Sequence, residues 1–357
     1  LSLPIAAFLA TRYFVPFYRK HGNISAYSHL EKRFGPWARS YSVACYLLMQ
    51  VGRVGTILYL VALALAPLTG WDMQTIIIVV GVLVTVYTLL GGIEAVIWTD
   101  VIQAGVLFIG TFIILFALLD SMPAPIGEVL ADLKAQGKTN PLDFSFDLTR
   151  EATVWSGVIA MSLFHITVYG ANQMMVQRTL AARSIGDAKK SYMLMCYLAF
   201  FIYFLFILLG VLFYSYYGGR EFENGNTIIL QFASDYGLPG LMGIIAAAVM
   251  AASMSSLDSA FNSLSTVATV DFYQQYFKPD ASPEHYLKVS RLLTVVFALL
   301  VIIPAIGYAG SQGSILELMS KVGAFFVGSQ LVMFVRGFFS KRATENGMPG
   351  GPGAPCR

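Results

Sequence analysis

The 357-residue chain is 57% hydrophobic and 12% charged, with a mean hydropathy of +0.67, which lies well outside the range of a soluble domain. The net charge of +3 is too small to mark a nucleic-acid surface. The three cysteines show no disulfide-like or metal-like spacing: Cys45 and Cys196 fall in apolar runs and Cys356 in the tail, so inert thiols are expected.

About nine apolar runs long enough to cross a hydrocarbon core recur along the chain, at approximately 1–18, 40–66, 74–91, 97–119, 152–176, 191–217, 237–268, 289–309 and 314–338. Their continuity predicts helices, because a membrane β-barrel would need short alternating segments. Leu1 already stands inside an apolar run, so a preceding segment is expected and no signal peptide is recognised. Residues 1–342 are expected to form one transmembrane transporter domain, and residues 343–357, rich in Gly and Pro, a disordered or truncated tail.

Lys and Arg concentrate on alternate loops, and cytoplasmic loops retain positive charge. One side carries Arg19, Lys20, Lys32, Arg33, Arg39, then Arg178, Arg183, Lys189 and Lys190, then Lys278, Lys288, Arg291, Lys341 and Arg342. The other carries Lys134, Lys138, Arg150 and Arg220, diluted by acids that include Asp120, Asp143, Asp147 and Glu221. The first side is assigned to the cytoplasm, with the first run entering from outside.

Ionisable groups at membrane depth are expensive and mark partners or water-filled cavities. Arg53, Asp100, Asp258, Glu317 and Lys321 qualify. Glu317 and Lys321 are four residues apart and suit a local ion pair. His165, beside Tyr169, reads as a hydrogen-bonded packing residue. Ala252, Ser255, Ser256 and Ser259 fall at i, i+3, i+4 and i+7, a stripe of small side chains and hydroxyls that could serve helix packing alone. Asp258 beside it favours a hard cation, which prefers oxygen ligands. No nucleophile–base arrangement or phosphate-cradling loop points to an enzyme.

Three stretches resemble the sodium:solute symporter family, in family order: Gly91-Gly92-Ile93-Glu94-Ala95-Val96-Ile97-Trp98-Thr99-Asp100-Val101-Ile102-Gln103, Asn172-Gln173-Met174-Met175-Val176-Gln177-Arg178-Thr179-Leu180-Ala181-Ala182, and Ser255-Ser256-Leu257-Asp258-Ser259 followed by Asn262-Ser263. The resemblance implies an all-α polytopic membrane protein with a leucine-transporter-like inverted-repeat fold. Core helices two to ten would be present and core helix one missing, so the chain is expected to be an inactive fragment by itself. It implies a sodium-coupled symporter of a bacterial inner membrane that needs no cofactor beyond sodium as coupling ion and works as a monomer in the bilayer. Its partners would be sodium and a small solute, without nucleic acid.

The family's principal sodium site maps to Ala252, Ser255 and Ser256, and a second sodium held by some relatives maps to Asp100, Asp258 and Ser259. Asp258 departs from the usual hydroxyl, which leaves open a stronger cation site, a proton or an ion pair. The run from Gln50 to Gly55 resembles the sialic acid transporters of the family, where an arginine in this place grips the carboxylate; Arg53 is the candidate, with Gln50 on the same face. A planar guanidinium at low dielectric suits bidentate anion recognition, although an ion pair with Asp258 or Glu317 is the competing reading. Asn172 matches a sugar contact of the family, while the lysine of neutral-sugar members falls at Ala199. The expected solute is a carboxylated sugar such as sialic acid. A neutral-sugar or monocarboxylate symporter and a non-transporting membrane sensor are the alternatives.

Overall fold

A computed structural model describes residues 2–21, 25–138, 142–147, 150, 153–222, 225–309, 332–334 and 336–337. Glu317, Lys321, most of the ninth expected run and the tail 343–357 lie outside the described residues. Among the described residues there is no strand. The helices are α1 (2–21), α2 (Ser28–Phe34), α3 (Pro36–Thr69), α4 (Met73–Gly92), α5 (Val96–Asp120), α6 (Ile126–Ala135), α7 (Ser156–Ala171), α8 (Gln173–Ala181), α9 (Ile185–Tyr216), α10 (Ile228–Tyr236), α11 (Leu241–Tyr276) and α12 (Pro283–Ala309). Six of them, α3, α4, α5, α9, α11 and α12, are long and apolar enough to cross a membrane.

Local chemistry explains the punctuation. Gly70, with φ of 69°, ends α3, and Asp72 starts α4 by accepting from the Thr75 amide at 2.9 Å. Gly92 takes φ of 59°, which a side chain would resist, and there the backbone turns from α4 into α5. Ser184 caps α9 by accepting from the Asp187 amide. The run expected at 152–176 is not one helix. It breaks at Asn172, which adopts extended angles (φ −82°, ψ 123°) and becomes the N-cap of α8, its side chain accepting from the Met174 amide at 2.9 Å. Apolar composition does not place this break, because Met174, Met175 and Val176 carry the apolar run past Asn172.

The carbonyls freed there find donors, as an interior without water requires. Tyr18 on α1 donates to Gly170 O at 2.6 Å, and Tyr192 on α9 donates to Tyr169 O at 3.2 Å. A Cβ at Gly170 would come within 2.6 Å of the Phe14 ring, so glycine lets α1 and α7 touch. His165 bonds the Met161 carbonyl oxygen at 2.8 Å and Ser2 Oγ at 3.0 Å.

Two packed groups result. α11 lies at the centre of one, against α3, α4, α5 and α12, while α1 packs on α7 and α9 in the other. At Gly110 on α5 an added Cβ would lie 2.7 Å from the Ala248 Cβ, so α5 and α11 approach closely. Cys45 and Cys196 are free and buried. Large apolar side chains on α4, α5, α9 and α12, among them Leu90, Ile102, Phe200 and Ile303, face outward as a lipid-contacting surface would.

Segments expected on one side of the membrane meet. Arg19 donates to Leu180 O at 2.8 Å and to Arg183 O at 3.1 Å. Arg39 donates to Asp271 Oδ1 at 2.8 Å and Gln275 Oε1 at 2.9 Å and pairs with Glu31, tying the start of α3 to α2 and the end of α11. On the opposite side Tyr236 donates to Asp120 Oδ2 at 2.9 Å, and Lys138 lies over the Tyr214 ring at 4.8 Å.

Candidate functional site

The polar groups of the interior gather along α11 and the helices around it. Ser255 Oγ donates to Ala252 O at 2.9 Å and Ser256 Oγ to the same oxygen at 3.4 Å. The helical backbone dictates this: a serine in a membrane helix satisfies its proton on a carbonyl three or four residues back. The outcome is three oxygens converging on one face, each with lone pairs left for a hard cation. Ala252, Ser255 and Ser256 are only partly buried, whereas Asp258 and Ser259 are buried at 0% and 3% exposure.

Asp258 turns toward α4. Its Oδ2 accepts from Tyr87 OH at 2.7 Å, and its Oδ1 accepts from the Ser259 amide. The competing reading, a pairing of Arg53 with Asp258, does not form among the described residues; the Asp258 carboxylate is engaged by Tyr87 and by its own helix. The competing partner Glu317 lies outside the described residues.

Asp100 and Ser259 do come together, through a third residue. Arg178 Nη2 lies 2.6 Å from Asp100 Oδ2 and 2.8 Å from Ser259 Oγ. Sequence reasoning placed Arg178 among cytoplasmic loop cations and missed this contact. The break at Asn172 swings α8 against α11, which no charge count could reveal. A signal existed, since Asp100 and Arg178 are the opposite charges of two of the recognised stretches.

Arg53, on α3, forms no ion pair among the described residues. Its Nη1 donates to Gln50 Oε1 at 3.3 Å and approaches Met174 Sδ at 4.0 Å. Gln50 is fully buried, with its Nε2 directed to Met174 Sδ at 3.1 Å and Tyr46 OH at 3.4 Å; Tyr46 OH in turn bonds Ser263 Oγ at 2.7 Å. Met174 is the residue whose amide Asn172 caps. The structure thus places Arg53, Gln50 and the helix break at Asn172 in one neighbourhood, joined at Met174.

Among the described residues, no group of three His, Cys, Asp or Glu side chains could hold a transition metal. Broken helices, an oxygen-lined stripe and an arginine at membrane depth with no carboxylate paired to it among the described residues define a polytopic carrier of ions and solutes. The sequence profile of the sodium:solute symporter family matches residues 1–351, and the chain belongs to that family.

The sodium/sialic acid symporter NanT of Aliivibrio fischeri is 32% identical over 341 residues, covering 94% of this chain and 67% of that protein. The sodium/sialic acid symporter SiaT of Proteus mirabilis is 30% identical over 338 residues, covering 93% and 68%. The human sodium-coupled monocarboxylate transporter 1 is 28% identical, covering 95% of this chain and 56% of its own length. The chain therefore spans about two thirds of these bacterial relatives and somewhat over half of the human one. A solved substrate-bound, outward-open Na⁺-coupled sialic acid symporter superposes with a TM-score of 0.82 at 30% identity, covering 97% of this chain and 74% of that one. The fold is accordingly the leucine-transporter-like one, in a sodium-coupled symporter of the inner membrane and not an enzyme.

Proposed function

We propose that the protein carries a carboxylated sugar of the sialic acid type inward with sodium, and that Arg53 holds its carboxylate. The observation behind this reading is a guanidinium on a membrane helix, held by the neutral groups of Gln50 and Met174, with no carboxylate paired to it among the described residues. Unpaired charge at this depth is costly, so an anionic ligand that completes the pair gains what a structural partner would otherwise have taken. The similarity to two bacterial sialic acid symporters supports the choice of solute.

Sodium would bind at Ala252, Ser255 and Ser256, and a second sodium would use Asp100 and Ser259, with Asp258 close by. Gln50 and Asn172 would serve the solute from beside Arg53, Gln50 by aiming the guanidinium. The transporter would work as a monomer within one domain, residues 1–342. Uptake by proteoliposomes of a labelled sialic acid, a neutral hexose and a short monocarboxylate, each with and without an inward sodium gradient, tests the assignment. Sodium-driven uptake confined to the sialic acid is expected. Transport of the hexose alone would refute the assignment, and binding without uptake would point to a sensor.

A further inference from the structure

Arg178 stands where the second sodium would stand. Its single Nη2 contacts Asp100 on α5 at 2.6 Å and Ser259 on α11 at 2.8 Å, the acidic and the hydroxyl oxygen that a small cation between those helices would use. Asp258 is not part of this contact; its carboxylate accepts from Tyr87 OH and the Ser259 amide. The guanidinium addresses Asp100 and Ser259.

We propose that Arg178 and sodium compete for Asp100 and Ser259, with Arg178 a tethered cation that sets how readily a second sodium binds. This rests on the reading that Asp100 and Ser259 take a cation. Opening an ion pair at low dielectric is costly mainly because a charge is left uncompensated. Exchange of one monovalent cation for another avoids that, since Asp100 faces a positive charge before and after. The geometry leaves a point of entry: Asp100 Oδ1 is buried and has no hydrogen-bond partner among the described residues, so it can accept a cation while Oδ2 still holds Arg178.

Arg178 also has somewhere to go. Its side chain is 36% exposed, so its charge can be hydrated when it withdraws. It sits on a helix of nine residues whose start at Asn172 is extended, which lets α8 move without bending α7. Withdrawal breaks the contacts to α5 and α11 together, because one nitrogen makes both. Occupancy by sodium and closure of α8 onto those helices thus exclude each other.

Equilibrium binding of radiolabelled sodium to the purified transporter, without solute, reads the competition directly. Arg178→Gln removes the competitor's charge and is expected to tighten the weaker sodium-binding event by about tenfold or more, the scale of one charge-assisted hydrogen bond. Arg178→Lys, which lacks the planar fork, should fall between Gln and wild type. Adding Asp100→Asn to Arg178→Gln should abolish the gain. Sodium binding by Arg178→Gln no tighter than wild type overturns the proposal. In that event Asp100→Asn and Ser259→Ala alone locate the fault: loss of one bound sodium in both leaves the second site standing without competition, and no loss removes the site itself. If Arg178→Gln does not assemble, Arg178→Lys against wild type decides, and equal sodium affinity overturns the proposal.

Discussion

Replacing Arg53 with alanine separates recognition of the solute from stability of the fold. The structural loss is small, because its polar contacts among the described residues are one long hydrogen bond to Gln50 at 3.3 Å and an approach to a thioether at 4.0 Å, together worth about 1 kcal/mol or less. The recognition loss is large. Truncating one partner of a desolvated charge pair costs about 2 to 5 kcal/mol, which weakens a carboxylated ligand by roughly thirtyfold or more. Arg53→Lys should recover only part of this, since an ammonium cannot make two parallel hydrogen bonds to a carboxylate. Scintillation proximity or calorimetric binding, with a sialic acid and its neutral analogue in which the carboxylate is reduced to an alcohol, forms a two-by-two comparison. The acid should lose far more than the alcohol. Equal losses for both ligands, accompanied by lower expression, would show that Arg53 supports the fold and would refute its assignment to the carboxylate.

Further outcomes follow from other parts of the molecule. Ser255→Ala with Ser256→Ala removes two oxygen ligands and hardly any bulk, so the apparent sodium affinity of uptake should weaken by about tenfold or more while the thermal unfolding midpoint holds; an unchanged sodium dependence would discard this stripe as the sodium site. Arg39→Ala should destabilise by about 3 to 5 kcal/mol, read as a marked fall in melting temperature in detergent, because the fully buried Asp271 side chain loses its counter-charge. Gly110→Ala forces a Cβ to within 2.7 Å of Ala248 and should cost about 1 to 3 kcal/mol, whereas Gly105→Ala, with open space around it, should be nearly neutral in the same melting assay.

How much of this was legible beforehand varies by residue. The stripe Ala252, Ser255, Ser256 follows from helical periodicity alone, since residues three and four apart on one helix must meet wherever that helix lies. The same holds for the membrane class and for the grouping of basic loops, which depend on transfer energies summed along the chain. The three recognised stretches carry the family, and their order along the chain carries the fold.

Contacts between distant segments required the tertiary structure. Whether Asp258 would strengthen a cation site, bind a proton or form an ion pair was open, and the packing of α4 on α11 sets Tyr87 OH against its carboxylate. The helix break at Asn172 falls inside one expected apolar run, and it turns α8 so that Arg178, counted as a loop cation, reaches Asp100 and Ser259. Gln50 read as a candidate solute contact on the face of Arg53; packing buries it completely and sets its Oε1 3.3 Å from the Arg53 guanidinium. The physical reason is common to all three. Local energetics along one helix are determined by composition and spacing, while the partner of a buried polar group depends on which helices close around it, and many arrangements satisfy the same hydrophobic pattern.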